Sequence, residues 1–176
     1  MVVFDSSMLL LALDPKARAP LDPKTSAPVE RAGERVDYLI ERLAGDRAAI
    51  VIPTPVLSEV MVRADGAAEG YLAHLNRERV FRIAPFDQKA AIEAALSIRD
   101  SLGRGSIRVD STDPVATRAK IKFDRQIVAI AKAEGAEVIY SDDSDIHAYS
   151  VAANIQVYGT GDLPLRPEDP QGSLGF

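Results

Sequence analysis

Apolar residues along the chain follow two rhythms. Short runs of β-branched and aromatic residues alternate with longer stretches in which apolar positions return every three or four residues, the marks of buried strands and of helices with one inward face. Val2-Val3-Phe4 is the first short run; Asp5-Ser6-Ser7 ends it, and Met8 to Leu13 predicts a buried helix. Residues 14–27 are rich in Pro, Lys and Asp, lack an apolar period and predict a loop. From Pro28 the spacing of Val29, Val36, Leu39, Ile40 and Leu43 predicts an amphipathic helix that stops at Gly45.

The same alternation continues to the far end. Ala48 to Ile52 predicts a second strand, turned by Pro53-Thr54-Pro55 into a helix from Val56 to Arg63, with another helix from Gly66 to Glu78. Val80 to Ile83 predicts the third strand, and Ala90, Ala91, Ala94, Ala95 and Ile98 form the small face of the helix after it. Residues 101–114 predict a mobile loop. A helix from Thr117 to Glu134 turns Ile121, Ile127, Val128, Ile130 and Ala131 inward, and strands at 137–140 and 155–158 enclose a short helix from Asp145 to Ala153. Strands that alternate with helices imply an α/β three-layer α/β/α sandwich around a central, mainly parallel sheet of about five strands. One domain is expected over 1–158, with 159–176, which holds four Gly and three Pro, as an extended or disordered tail.

Composition removes several chemistries. The chain has 176 residues, no Cys and two His. Thiolate zinc sites, disulfide scaffolds and a Cys nucleophile are excluded, and a metal site would have to be built from oxygen. No run reaches the roughly 18 to 20 apolar residues a membrane span needs, and Asp5 interrupts any signal-like segment, so a cytoplasmic protein without a membrane partner is expected. The net charge of −5 argues against a broad nucleic-acid coat. Between Arg99 and Arg125, however, seven cations stand against four acids, a basic rim suited to a phosphodiester backbone.

Four acids stand at or near the ends of apolar segments: Asp5, Glu59, Asp124 and Asp143. In a parallel sheet the loops at the carboxyl ends of the strands carry the ligand site, and the helix holding Asp124 must begin at that same edge to feed the strand at 137. A lone Asp after a strand is more often a turn former or helix cap, and Asp145 is a good cap for the short helix. Asp124 is harder to explain in that way, because it lies beside the inward residues Ile127 and Val128, where an unpaired carboxylate is costly. Converging carboxylates repel unless protonated or neutralised. A hard divalent cation with oxygen ligands does the latter, and phosphodiester hydrolysis is the natural reaction class.

These segments resemble the PIN domain, the nuclease fold of VapC-type toxins and of RNA-processing factors. Phe4-Asp5-Ser6-Ser7 is similar to the family's opening block, Thr54 to Val60 to its second, Asp124 to Ala131 to its third and Ser141 to Ile146 to its fourth. The resemblance implies a Mg²⁺ or Mn²⁺ dependent endoribonuclease using one or two ions, commonly a homodimer, and often the toxin of a pair held inactive by a small antitoxin. It implies Asp5, Asp124 and Asp143 as the main metal-site carboxylates, Glu59 as holder of a second metal or of water, Asp145 as an auxiliary acid and Asp142 as a spectator. Ser7 and Ser141 would support these ligands by hydrogen bonds. Lys120, Lys122 and Arg125 are the expected contacts to RNA phosphates. The chain exceeds a minimal toxin at 14–27, at 101–114 and in the tail, and Ile146 replaces the usual aromatic; a stand-alone RNA-processing nuclease and a non-catalytic RNA- or protein-binding module are the alternatives. A phosphatase of the haloacid dehalogenase type would need an Asp where Ser7 stands.

Overall fold

The computed structural model describes residues 1–103 and 118–167. Its centre is a sheet of five parallel strands: β1 (Val2–Phe4), β2 (Ile50–Pro53), β3 (Phe81–Ala84), β4 (Val138–Tyr140) and β5 (Gln156–Tyr158), in the order β3-β2-β1-β4-β5. Strand β1 is therefore central, and the order reverses direction between β1 and β4. Every residue of β1 and β2 is buried, as expected of strands covered on both faces.

Seven helices flank the sheet among the described residues: α1 (Ser6–Leu13), α2 (Ala32–Gly45), α3 (Thr54–Ala64), α4 (Ala68–Arg77), α5 (Gln88–Gly103), α6 (Arg118–Glu134) and α7 (Ser144–Ala153). The result is the three-layer sandwich. Phe4, Met8, Leu9, Val36, Ile50, Ile52, Val56, Ile130 and Ile139 are among the largest fully buried side chains of one continuous core. Helix α6 runs between α5 and α7 and crosses over to β2 and α3. Ala90 and Ala94 of α5 are buried, and their small size lets α5 approach α6 closely. No described helix is long and apolar enough to cross a membrane.

Three sequence expectations change. The helix expected from Pro28 starts at Ala32, because the preceding loop closes on itself: Leu21 bridges Pro28, Val29 N donates to Pro20 O at 2.8 Å, and Arg31 turns the chain with φ 54°. Asp143, rather than Asp145, caps α7, its carboxylate accepting from Asp145 N at 2.8 Å. The tail expected from residue 159 begins as packed structure. A 3₁₀ turn at Thr160–Asp162 carries Thr160 and Leu163 into the interior, Arg35 donates to Leu163 O, and Arg166 pairs with Glu41 on α2. Of the loop expected at 101–114, residues 101–103 belong to α5, and the rest lies outside the described residues, as does the tail beyond 167.

Candidate functional site

The reversal between β1 and β4 opens a crevice at the carboxyl edge of the sheet, where ligand sites in such sheets form. Asp5 leaves β1 directly into this crevice and caps α1, with Oδ1 accepting from Met8 N at 3.0 Å and from Ser7 Oγ at 2.8 Å. Ser141, fully buried after β4, donates to Asp5 Oδ2, and its Oγ accepts from Asp143 N at 3.0 Å. One hydroxyl thus ties the ends of adjacent strands together. Burial pushes the Asp5 carboxyl up to about 6, against the hydrogen bonds from Met8, Ser141 and Ser7.

Three carboxylates meet beyond that hydroxyl. Asp124, Asp143 and Asp145 each offer an oxygen, and these oxygens all lie within 4.8 Å of one another. Asp124 projects from the second turn of α6, and the parallel order brings that turn to the same edge as the β4 end that carries Asp143. Asp145 is fully buried and Asp124 nearly so. Burial raises the Asp124 carboxyl to about 6, with the Lys120 charge opposing and the Asp143 charge adding to the rise.

Lys120 closes this cluster from the side. Its Nζ lies 3.1 Å from Asp124, 3.0 Å from Asp143 and 2.8 Å from Asp145. Partial burial works against the ammonium, but hydrogen bonds to Asp145 and Asp143 and the Asp124 charge hold it well above the ordinary lysine range. Its position shows how the donor set treats a cation: three carboxylate oxygens converge on one positive centre. An all-oxygen, anionic set of this kind fits Mg²⁺ or Mn²⁺.

Glu59 stands at the rim rather than in the trio. It is exposed, receives Ser6 Oγ at 2.6 Å and pairs with Arg63 at 2.6 Å. Together with Lys120, Asp124 and Asp143 it lines an open cavity of about 550 Å³, whose apolar wall is Val62 and Phe123. Both of those side chains are exposed, and nothing in the sequence pattern marked them as part of a site.

The residues expected to touch RNA part ways. Lys122 is exposed, two residues and therefore about 200° around α6 from Lys120, so it cannot face the cavity from the same side. Arg125 is turned inward, which corrects its assignment as a phosphate contact. It is 5% exposed, its guanidinium lies 4.6 Å from the Tyr149 ring centre, and it donates to Ser101 and Ser97. Asp142 is not part of the trio and serves the fold, although its charge adds to the rise of the Asp5 carboxyl. It accepts from Thr160 N at 2.7 Å and Thr160 Oγ1 at 2.6 Å, fastening the turn after β5. Arg104 and Arg108 lie outside the described residues.

Comparison with known proteins agrees with this geometry. The model of the PIN domain family matches residues 25–152. No curated protein matches the sequence. Among solved structures, VapBC2 from Rickettsia felis bound to a DNA fragment from their promoter is similar with a TM-score of 0.58 at 16% identity, over 90% of this chain and 98% of that one. FitAB bound to an IR36 DNA fragment gives 0.59 at 17%, over 93% and 98%. DNA-bound VapBC from Salmonella typhimurium gives 0.54 at 17%, over 90% and 97%. With its family model covering most of the folded chain and its carboxylates gathered at the β1/β4 crevice, the chain belongs to the PIN domain family.

Proposed function

We propose that the protein is a divalent-metal-dependent endoribonuclease. The observation that carries this reading is the convergence of Asp124, Asp143 and Asp145 at the foot of an open cavity. Asp124, Asp143 and Asp145 would hold Mg²⁺ or Mn²⁺, and Asp5 would add its charge from behind through Ser141. When bound, the cation would neutralise the scissile phosphate and favour ionisation of the attacking water.

The chain's own residues supply position and charge. Asp145, fully buried, and Asp143, pinned by its backbone bond to Ser141, form a rigid floor that does not reorganise as charge builds on the phosphate. Glu59, held by Ser6 and Arg63 on the cavity wall, would orient the attacking water. Family membership supports the nuclease chemistry, since PIN domains are generally nucleases that use divalent metals. The toxin role and a small antitoxin partner are part of the same proposal, supported by the likeness to structures named VapBC and FitAB; a homodimer is proposed with them on the family resemblance alone.

The test is cleavage of a labelled single-stranded RNA with Mg²⁺ or Mn²⁺. The wild-type protein should cut, chelation should stop it, and Asp143→Asn should lower the rate at least about a hundredfold, the scale on which loss of an electrostatic stabiliser is felt. Equal cleavage by the two proteins would refute the assignment.

A further inference from the structure

Lys120 stands where a cation of the cluster belongs. One ammonium carries three protons, and each points within reach of a different carboxylate: Asp145 at 2.8 Å, Asp143 at 3.0 Å and Asp124 at 3.1 Å. Two of its three partners differ from it in burial. The Asp145 side chain is fully buried and that of Asp124 is 9% exposed, whereas Lys120, at 35%, and Asp143, at 31%, both line the cavity on its outer side. The carboxylates are fixed, by Ser141 and the α7 cap on one side and by the packed α6 on the other. The lysine hangs on a flexible four-carbon stem with room beside it.

A divalent ion and an ammonium cannot share three oxygens that lie within 4.8 Å of one another, because like charges at that separation repel strongly in a partly desolvated site. Something must leave when the metal arrives, and only the lysine can. We propose that Lys120 is a tethered competitor of the divalent cation: its ammonium offsets part of the cluster's negative charge in the metal-free protein, and metal entry expels it into the cavity. This rests on the reading of the trio as a metal site. It reassigns Lys120 from a standing phosphate contact to a positioning residue. The cluster keeps a cation in both states, the site answers only to metal concentrations that win the exchange, and the displaced ammonium faces the space where a phosphate oxygen would approach.

The test needs neither RNA nor turnover. Wild-type protein, Lys120→Met and Lys120→Arg are stripped with chelator and titrated calorimetrically with Mn²⁺ at neutral pH. Removing the competing charge should tighten Mn²⁺ binding about tenfold or more, while Lys120→Arg, which keeps the charge, stays close to wild type. In wild-type protein labelled with ¹³C-lysine, the Lys120 Cε resonance, identified by its absence in Lys120→Arg, should shift on saturation with diamagnetic Mg²⁺. Binding by Lys120→Met that is no tighter than wild type, absence of binding in both, or a Cε resonance that does not move would each overturn the proposal. If Lys120→Met fails to fold, the Cε resonance of the wild-type protein decides alone. Failure here with RNA cleavage intact would leave the nuclease reading standing, and competition without cleavage would do the reverse.

Discussion

Asp5 shows most plainly that one residue can be kept at a cost to stability. Its carboxyl is 4% exposed and is raised by burial from 3.8 to about 6. The folded protein therefore holds a proton between those two values that the unfolded chain has already released, so stability from this group is full below about pH 3.8 and is lost as pH rises through about 6. A gap of about two pH units corresponds to ~3 kcal/mol at neutral pH. Asp5→Asn keeps an oxygen for Met8 N and Ser7 and removes the charge. Chemical denaturation should find it more stable than wild type by about 1–3 kcal/mol at pH 7.5, the two converging near pH 4, and it should not cut RNA. An Asn variant less stable than wild type at pH 7.5 would show that the buried charge is already compensated. Asp124, also raised to about 6, gives a matching expectation for ligands. Carboxylates must shed their protons to take up a cation, so calorimetric Mn²⁺ affinity should climb between pH 5 and 7 and level off above; a flat profile would contradict it.

At the scale of elements, the sequence made strands and helices legible because both periods are clean. Val2-Val3-Phe4 and Val138-Ile139-Tyr140 read as strands, and the inward residues of α6 fell where their spacing put them. What it could not convey was direction around a helix or reach across the fold. Arg125 looked like one more cation in a basic stretch, yet it lies one position past the cluster-facing Asp124, on the side that α5 and α7 cover. There it joins Ser101 to Tyr149. Arg125→Ala should lower stability by about 2–4 kcal/mol through lost packing and polar groups left buried, with no change in the salt dependence of RNA binding; a reduced salt slope would restore it as a phosphate contact. The start of the tail was missed for a similar reason. Its Gly and Pro content suggested a loose end, whereas Gly159 is needed for a close approach: a Cβ there would meet Asp142 Oδ1 at 2.9 Å, on a carboxylate held by Thr160. Gly159→Ala should cost about 1–3 kcal/mol by overpacking this turn, read as a lower denaturation midpoint, and an unchanged midpoint would mean that the turn yields freely.

Across the whole molecule, the site was readable to the extent that topology is. Four acids at or near the ends of predicted segments pointed to one sheet edge, and the β3-β2-β1-β4-β5 order supplies the crevice that receives them. The sequence could not rank them. Asp145, expected as an auxiliary acid, is a full member of the trio, Glu59 is a rim residue, and Asp5 is linked to Asp143 through the Ser141 hydroxyl. Lys120 was singled out for its charge, but only the fold shows that its four-residue spacing from Asp124 brings the ammonium back onto its own helix neighbour and onto Asp143 and Asp145. The most direct test of the whole arrangement is an anomalous diffraction map from crystals soaked in Mn²⁺. A peak bonded to oxygens of Asp124, Asp143 and Asp145 is the predicted result; a saturating soak with no peak there, or one bound elsewhere, would rule out the trio as the metal centre.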